Sequence, residues 1–350
     1  MRVVVNPAHD PSAVAPPSAE ARAYHASLPG YAPTPLRPLP GLADELGLGA
    51  VALKDESARL GLPAFKVLGA SWAVERALRE RREVHTLVAA SAGNHGRAVA
   101  HVAALRGLAA RILLPARSAP ARRAAIAAEG AELVVVDGDY EAAVRQAAEE
   151  GARDGCLEVA DVGDSGPAHW VVDGYATLFA ELGEAFDVVL VPTGVGSLAA
   201  AAARHGAAAG AAVIAVEPVA AACLAASLAA GAPTRVATPG TGMAGLDCAE
   251  VSAAVWPDLR AGIAGGVTVD DAEAQAAMRE LAALGLAIGD CGAAALAAMR
   301  ALATEDAAAP LRAAVGLGAA SRVLLIATEG PTDPDAYARA AGATEPRGAA

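Results

Sequence analysis

The stretch AELVVVDGDYEAAVRQAAEEGARDGCLEVAD, residues 131–161, places a helical segment between two short runs rich in β-branched residues. The runs AELVVVDG and CLEVAD have the length and composition of buried strands, and the alanine-rich segment between them ends near a glycine, which is a usual helix stop signal. A strand, a helix and a second strand in this order favour parallel strands covered by helices.

The same alternation continues in both directions along the chain. Further strands are predicted at GAVALKDES, VHTLVAAS, ARILLPA, FDVVLVPTG, AAVIAVEP and RVLLIATEG, with helical segments between most of them. We therefore predict an α/β fold of two domains with mostly parallel sheets covered by helices. The four strands between about residues 84 and 161 would form the sheet of a small domain, residues 71–171, and residues 1–70 and 172–350 would form a large domain. The proline-rich first forty residues are expected to form an irregular surface arm.

Composition excludes several classes of partner. The 350 residues carry a net charge of −12, which repels phosphate backbones and anionic lipid surfaces, so neither nucleic acid nor a membrane is an expected partner. The chain shows neither a long uninterrupted apolar run nor the apolar core of a signal peptide, which predicts a cytoplasmic protein. The four cysteines are too few and too scattered for a disulfide framework, and no metal site is expected.

Lys66 stands in an unusually apolar stretch, GLPAFKVLGAS, residues 61–71. Burial removes the hydration of an ammonium group, so we expect the pKa of Lys66 to fall and its neutral amine to act as a nucleophile in Schiff-base chemistry. Gly69 and Ala70 are expected to leave room for a ligand. The alternative is a lysine that extends to the surface from a half-buried loop.

The loop SAGNHG, residues 91–96, follows a predicted strand and opens a predicted helix. Free backbone N–H groups and the positive end of the helix dipole make such a loop suitable for an anion, here a carboxylate. An ordinary strand-to-helix turn, with Gly93 in the turn and Asn94 as the cap, is the alternative interpretation.

The loop PTGVGSL, residues 192–198, also lies between a predicted strand and a predicted helix. Gly194 and Gly196 allow a nest of backbone amides, and Thr193 and Ser197 add hydroxyl donors, which suits a phosphate group. The competing interpretation is a dinucleotide fingerprint with Glu217 as its acidic residue, but the third glycine of that fingerprint is missing.

A reactive lysine, a carboxylate loop and a phosphate nest are together the parts that pyridoxal phosphate chemistry on an amino acid requires. The segments that carry these features also resemble, in order, motifs of the diaminopropionate ammonia-lyase family: KDESARLGLPAFKVLGAS, SAGNHGRAVA, VVDGYATL, GTGMAGLDCAE, GDCGAAAL and ATEGPTDPDAY. That family belongs to the pyridoxal phosphate enzymes with the tryptophan synthase β-subunit type of fold, called fold type II, as do the serine and threonine dehydratases. The resemblance covers nearly the whole chain after about residue 20.

The resemblance implies a role for individual residues. It makes Lys66 the lysine that forms the imine with pyridoxal 5'-phosphate and Asp161 the acidic residue that handles the α-proton of the L-substrate, with Lys66 as the other candidate base. Asp161 could instead be a helix cap or an ordinary loop carboxylate. The remaining implied contacts are Asn94 at the cofactor ring oxygen, Thr328 at the pyridine nitrogen, Gly194, Val195, Gly196 and Ser197 at the phosphate, and the backbone of Ser91, Ala92, Gly93, Asn94 and His95 at the substrate carboxylate.

The chain departs from the family pattern at two places. The family usually has an aspartate, associated with the D-isomer, where this chain has Ala92, so the sequence favours L-amino acids. Asp290 and Cys291 replace a commoner glutamate and serine, which predicts an altered pocket. Cys223 and Cys248, in predicted loops that flank the GTGMAGL motif, are expected to be free thiols in the cytoplasm; a redox-sensitive pair is the alternative.

The resemblance implies a homodimeric lyase that releases ammonia from L-2,3-diaminopropionate or a related β-substituted L-amino acid, through an aminoacrylate that gives pyruvate and ammonia. Three alternatives stay open at this point. The chain could be a serine or threonine dehydratase, a β-replacement enzyme with an altered substrate, or a catalytically silent regulatory scaffold that binds pyridoxal phosphate.

Overall fold

The computed structural model describes residues 2–80, 83–163 and 166–342, which form two sheets flanked by helices. The strands are β1 Val3–Val5, β2 Leu36–Pro38, β3 Ala50–Asp55, β4 Thr86–Ala90, β5 Ala109–Pro115, β6 Glu132–Val136, β7 Cys156–Glu158, β8 Val188–Pro192, β9 Ala212–Pro218, β10 Ile263–Val269 and β11 Arg322–Ala327. The helices are α1 Glu20–Ala26, α2 Pro40–Leu46, α3 Lys66–Glu80, α4 Asn94–Arg106, α5 Pro120–Ala128, α6 Tyr140–Gly151, α7 Gly166–Ala180, α8 Ser197–Ala209, α9 Cys223–Ala230, α10 Trp256–Gly262, α11 Asp271–Ala283, α12 Asp290–Thr304, α13 Ala309–Ala314 and α14 Pro334–Ala341. Among these residues, no helix is both long enough and apolar enough to cross a membrane.

The larger sheet has seven strands in the order β1-β10-β9-β8-β11-β3-β2. Its central strands are parallel, and its two edge strands, β1 and β2, pair antiparallel with their neighbours. The smaller sheet is entirely parallel, in the order β6-β5-β4-β7. The predicted α/β fold with mostly parallel sheets is therefore confirmed. The smaller sheet falls within the range 71–171 that the sequence assigns to a small domain, and the domain boundaries themselves stay a prediction.

Three strands of the larger sheet are absent from the sequence prediction. The first forty residues contain the edge strands β1 and β2 rather than only an irregular arm, and β10 is buried along its whole length. Strand β10 escapes recognition because glycine is uncommon in strands, yet a Cβ on Gly265 would lie 2.3 Å from the Val4 carbonyl oxygen of β1. The close approach of β1 requires this glycine.

Helices α3 and α7 pack closely through their glycines. A Cβ on Gly69 would lie 2.6 Å from the Tyr175 ring, and a Cβ on Gly174 would lie 2.5 Å from the Leu68 carbonyl oxygen. Ala70 is also fully buried. The expectation that Gly69 leaves room for a ligand is therefore wrong, because its open side is filled by α7. The small residues after Lys66 instead allow the helix that begins with this lysine to approach its neighbour.

Four charged side chains form a buried network that includes two residues of the loop before α3. Lys54, Glu56, Arg59 and Glu181 are each at most 1% exposed. The Arg59 guanidinium lies 2.6 Å from Glu56 and 2.7 Å from Glu181, and the Lys54 ammonium lies 2.6 Å from Glu181. Burial opposes the ionisation of Glu181, but the hydrogen bonds and charges of its two cations hold the pKa of this carboxyl well below its usual value. Charges this deeply buried are tolerated only because they are paired.

Loss of Glu181 should destabilise the fold strongly. We expect Glu181→Ala to lower the free energy of unfolding by about 3–5 kcal/mol, because it leaves two buried cations with one carboxylate between them. The measurement is urea unfolding at neutral pH. Glu184→Ala is the control: Glu184 pairs with Arg322 on the surface, where its side chain is 45% exposed, and its loss should cost at most about 1 kcal/mol. Equal effects of the two changes would contradict this role of the network.

Candidate active site

The distinctive loops of the chain follow the carboxyl ends of five strands. Lys66 follows β3, Asn94 follows β4, Asp161 follows β7, Gly194 follows β8 and Thr328 follows β11. Parallel strands end on the same side of their sheet, so the two sheets present these residues to each other. Direct contacts between the loops define the site.

Lys66 and Asp161 form an ion pair between the two sheets. Lys66 Nζ donates a hydrogen bond of 2.9 Å to Asp161 Oδ2, and the two side chains are 20% and 12% exposed. The Phe65 and Tyr175 rings lie beside the ammonium, with their centroids 5.5 and 5.8 Å from Nζ. The alternative of a lysine that reaches the surface does not describe this side chain.

The expected fall in the pKa of Lys66 is not what the structure shows. Burial alone would lower the pKa, but the charge of Asp161 and the hydrogen bond to it outweigh burial and raise the pKa well above its ordinary value. The apolar neighbours of Lys66 are local in the sequence, whereas the carboxylate that raises its pKa lies 95 positions away. Lys66 is therefore an ammonium when its nitrogen is free, and its proton lies next to Asp161.

The loop before Lys66 is attached to the end of β11. Phe65 N donates to the Thr328 carbonyl oxygen at 3.3 Å, Gly330 N donates to the Pro63 carbonyl oxygen at 3.0 Å, and Ala64 forms a β-bridge with Glu329. These contacts place Lys66 and Thr328 at adjacent positions of the same site.

The SAGNHG loop connects β4 to α4, and no side chain caps the start of α4. Gly93 occupies the N-cap position without a side-chain cap, and the first N–H groups of a helix have no partner within the helix. Two other amides are occupied, since Ser91 N donates to the Leu113 carbonyl oxygen at 3.1 Å and Gly93 N donates to Ser91 Oγ at 3.2 Å. Within the predicted carboxylate site, the helix-start amides of Asn94 and His95 are thus the most suitable donors.

The Asn94 side chain contacts a carboxyl that the sequence analysis did not single out. Its amide donates to Glu329, which is 5% exposed. Burial and the nearby charge of Asp290 raise the pKa of Glu329 to about 7. Asp290, Cys291 and Glu329 bring one ligand-type atom each to within 4.8 Å of one another. The two departures at 290 and 291 therefore lie against the partner of Asn94, and the position of Glu329 directly after Thr328 was the signal available in the sequence.

The PTGVGSL loop connects β8 to α8 in a tightly packed turn. Gly196 is the N-cap of α8 with a φ of +98°, and a Cβ there would lie 2.5 Å from the Leu259 side chain. A Cβ on Gly194 would lie 3.0 Å from Cys248 Sγ. The helix start has no side-chain cap, so its amides are suited to an anion. The Ser197 hydroxyl donates to the Asp161 carbonyl oxygen at 3.1 Å, which links this loop to the ion pair.

Glu217 is already occupied by the backbone. Leu224 N and Ala225 N at the start of α9 donate to its two oxygens at 2.7 and 2.8 Å, and the side chain is 1% exposed. A residue held in this way has no oxygen facing a ribose, so the dinucleotide interpretation is wrong. Burial raises the pKa of Glu217 to about 7.

The cysteines are free thiols in the described part of the chain. Cys223 is the first residue of α9 rather than a loop residue, and its sulfur lies 3.7 Å from the Gly194 carbonyl oxygen. Cys248 also packs against Gly194, where burial raises its pKa to about 12. Both thiols thus adjoin the phosphate loop.

Comparison with known proteins identifies the family. Residues 27–328 match the family model described as pyridoxal-phosphate dependent enzyme. The chain belongs to this family. It is 33% identical to the diaminopropionate ammonia-lyase of Salmonella typhimurium over 91% of this chain and 90% of that protein. The chain therefore also belongs with the diaminopropionate ammonia-lyases, as the sequence motifs predicted.

Solved structures support the same assignment. The Escherichia coli diaminopropionate ammonia-lyase in complex with an aminoacrylate-PLP azomethine reaction intermediate superposes with a TM-score of 0.88, at 31% identity and with 97% and 96% of the two chains covered. The same enzyme in complex with D-serine gives a TM-score of 0.87 at 30% identity, with the same coverage. Fold type II and the cofactor, pyridoxal 5'-phosphate, are thus confirmed for this member of the family.

The residues of the site fit the cofactor. Thr328 Oγ1 is buried and has no hydrogen-bond partner among the described residues, so it is available to a heteroatom of the cofactor ring. The start of α8 has no side-chain cap, so its backbone amides suit a phosphate, and Lys66 supplies the amine. The hydroxyls expected to help bind the phosphate are already used, since Thr193 donates to the Val191 carbonyl oxygen and Ser197 to that of Asp161. These observations support Lys66, Thr328 and the backbone of residues 194–197 as predicted cofactor contacts.

Glu217 should make stability depend on pH. Its folded pKa of about 7 exceeds the unfolded value of about 4.3, so the folded protein holds a proton that the unfolded chain releases, and stability falls as pH rises between these values. As pH rises from 4 to 7.5, the wild type should lose about 3 kcal/mol of unfolding free energy that Glu217→Gln does not lose. The measurement is urea unfolding of both proteins across this pH range. Glu329 is present in both proteins, so its own titration cancels in the difference. If the unfolding free energies of the two proteins change with pH in parallel, the raised pKa of Glu217 is refuted.

Proposed function

We propose that this protein is a pyridoxal phosphate-dependent lyase that eliminates ammonia from L-2,3-diaminopropionate or a closely related β-substituted L-amino acid, giving pyruvate and ammonia. The observation that carries the proposal is the 2.9 Å pair of Lys66 and Asp161 at the cofactor site. The pair supplies one carboxylate that can accept a proton and one ammonium that can donate a proton. Similarity to diaminopropionate ammonia-lyases over 91% of the chain supports the choice of substrate.

The residues divide the chemistry between them. Bound pyridoxal phosphate supplies the electron sink that stabilises negative charge at the substrate α-carbon. The substrate carboxylate binds at the start of α4, and Asp161 Oδ2 takes the α-proton. Lys66 Nζ, once free, donates a proton to a neutral β-amine, which leaves as ammonia when its bond to carbon breaks. Proton removal and proton donation thus use two groups that are already adjacent.

Thr328 supports elimination over other cofactor reactions. A neutral hydroxyl at the pyridine nitrogen leaves that nitrogen largely unprotonated, which weakens the electron sink. A weaker sink suits a reaction in which negative charge is removed quickly by loss of a β-substituent. The buried, unpaired Thr328 Oγ1 is available for this contact.

A serine or threonine dehydratase is the second candidate, because SAGNH with Ala92 is closer to that branch. A β-replacement enzyme would form product only when a second nucleophile is present. A silent regulatory scaffold would have little use for the Lys66–Asp161 pair, which speaks against the non-enzymatic alternative.

A substrate panel tests the reaction. We expect release of pyruvate and ammonia from L-2,3-diaminopropionate to exceed that from L-serine, and to exceed release of 2-oxobutyrate from L-threonine. Lys66→Ala and Asp161→Asn should each lose about 10²–10⁴-fold in kcat, because each removes one proton-transfer group. Asp154→Asn, an exposed carboxylate change, is the control and should keep full activity. Turnover of threonine but not of diaminopropionate would exclude the lyase in favour of the dehydratase.

Ala92 should restrict the enzyme to L-substrates. We expect at least about a hundredfold preference for the L-isomer of diaminopropionate, since Ala92 offers no carboxylate to a proton on the opposite face. Ala92→Asp should raise the rate on the D-isomer and leave binding of the cofactor unchanged, and Ala92→Asn controls for size. Equal wild-type rates on both isomers would refute this explanation of specificity.

We also propose that the protein is a homodimer and acts in the cytoplasm. Closed two-fold dimers are the commonest state of soluble oligomers. Sedimentation of the purified holoenzyme at twice the monomer mass is the expected result, and a monomeric active enzyme would contradict the dimer.

A further inference from the structure

The imidazole of His95 is held in one orientation and one protonation form. His95 Nε2 lies 2.7 Å from the Val159 carbonyl oxygen, which can only accept a hydrogen bond, so the network assigns the ring proton to Nε2. Nδ1 then carries a lone pair. It is buried, and it has no hydrogen-bond partner among the described residues. The role predicted for His95 from the sequence involves only its backbone and leaves its ring without a function.

The bare nitrogen faces the base of the proposed reaction. His95 Nδ1 lies 3.7 Å from Asp161 Oδ2, the same oxygen that accepts from Lys66. With Asp161 ionised, nitrogen and oxygen are both acceptors and form no hydrogen bond. A proton on Oδ2 converts this pair into a donor and an acceptor.

Burial, together with the Lys66 ammonium, favours the neutral form of the imidazole. Burial lowers the pKa of His95. The Lys66 ammonium lowers this pKa further, whereas the Asp161 carboxylate raises it. Burial opposes the ionisation of Asp161, whereas positive charge on His95 and Lys66, with the Lys66 hydrogen bond, lowers its pKa well below the ordinary value. Because His95 is neutral at neutral pH, Lys66 is the cation that keeps Asp161 ionised. Tyr140, Tyr175 and Cys248 are the other titratable groups near the pair.

We propose that His95 is a positioning residue for proton transfer: its Nδ1 accepts a hydrogen bond from Asp161 after Asp161 takes the α-proton of the substrate. The proposal rests on the proposed role of Asp161 in the reaction. The α-carbon–hydrogen bond breaks, its electron pair stays on the substrate, and an O–H bond forms at Oδ2. That O–H then donates to Nδ1, and no proton moves onto the ring. His95 therefore stabilises Asp161 in its protonated state and makes a strongly acidic carboxyl an effective base.

A purely structural role for His95 makes a different prediction. Val159 lies two positions before Asp161, so the 2.7 Å contact could act only by holding the end of β7 in place. Two substitutions separate the roles. His95→Gln keeps an N–H near the Nε2 position and removes the acceptor at Nδ1, whereas His95→Asn keeps an acceptor near Nδ1 and loses the contact with Val159.

The experiment follows removal of the α-proton without elimination. The holoenzyme is incubated with L-alanine in D₂O, and exchange of the α-hydrogen is followed by NMR, because L-alanine has no β-leaving group. We expect His95→Gln to slow exchange about tenfold, because protonated Asp161 then has no acceptor at the Nδ1 position. His95→Asn should stay within about threefold of the wild type. Slower exchange by His95→Asn than by His95→Gln, or equal rates, overturns the proposal.

Two further measurements separate the role of His95 from a folding defect in the variants and from the identity of the substrate. In ¹⁵N-histidine spectra of the wild-type holoenzyme, the signal that disappears in His95→Gln should show Nε2 protonated and Nδ1 bare at pH 7. A protonated Nδ1 overturns the proposal without any comparison of rates. Exchange of L-alanine without ammonia release from any substrate in the panel would refute the proposed lyase and leave the two variants to decide the role of His95. If the wild-type holoenzyme does not exchange the α-hydrogen of L-alanine, the proposed lyase and the proposed role of His95 are both overturned.

Discussion

The ion pair of Lys66 and Asp161 joins the two sheets at the place where their strands end. Lys66 begins the helix that follows β3 of the larger sheet, and Asp161 follows β7 of the smaller sheet. Taking both charges out of water costs several kcal/mol each, and their attraction repays this only in good geometry. Such a pair is weak evidence for stability. Its position between the two sheets, on the lysine that we propose binds the cofactor, is better explained by chemistry.

The surrounding structure determines where this pair lies. The loop before Lys66 is hydrogen bonded to the end of β11, and its residues Glu56 and Arg59 belong to the buried network that also contains Lys54 and Glu181. On the other side, Ser197 holds the backbone of Asp161. The PTGVGSL loop, Lys66 and Asp161 are therefore connected through a few short contacts. Rigid support of this kind preorganises reacting groups, which is how enzymes reduce the entropic part of a barrier.

Burial sets the protonation states across the site, and neighbouring charges modify them in different directions. Lys66 keeps its proton because Asp161 outweighs burial, whereas His95 stays neutral and Glu329 approaches a pKa of about 7. Cations, neutral rings and weakly acidic carboxyls thus lie within one small region. Asp290 and Cys291 lie against Glu329, the partner of Asn94 at the start of α4, and are separate from the Lys66–Asp161 pair.

The sequence by itself determined the α/β class, most of the parallel strands and the cofactor, and it predicted Lys66 and the two loops as the parts that bind it. These features are local: hydrophobic periodicity reports burial, and glycines beside a strand end report a turn. Only the tertiary structure decided the rest. Strand β10 exists because Gly265 admits β1 from the other end of the chain, and the pKa of Lys66 rises because Asp161 is folded against it. The ring of His95 gained a role only through its contacts with Val159 and Asp161, and Glu329, although it follows Thr328 in the sequence, only through its contact with Asn94. Each of these depends on groups far apart in the chain, and no pattern in a short window records which distant group will lie within 3 Å.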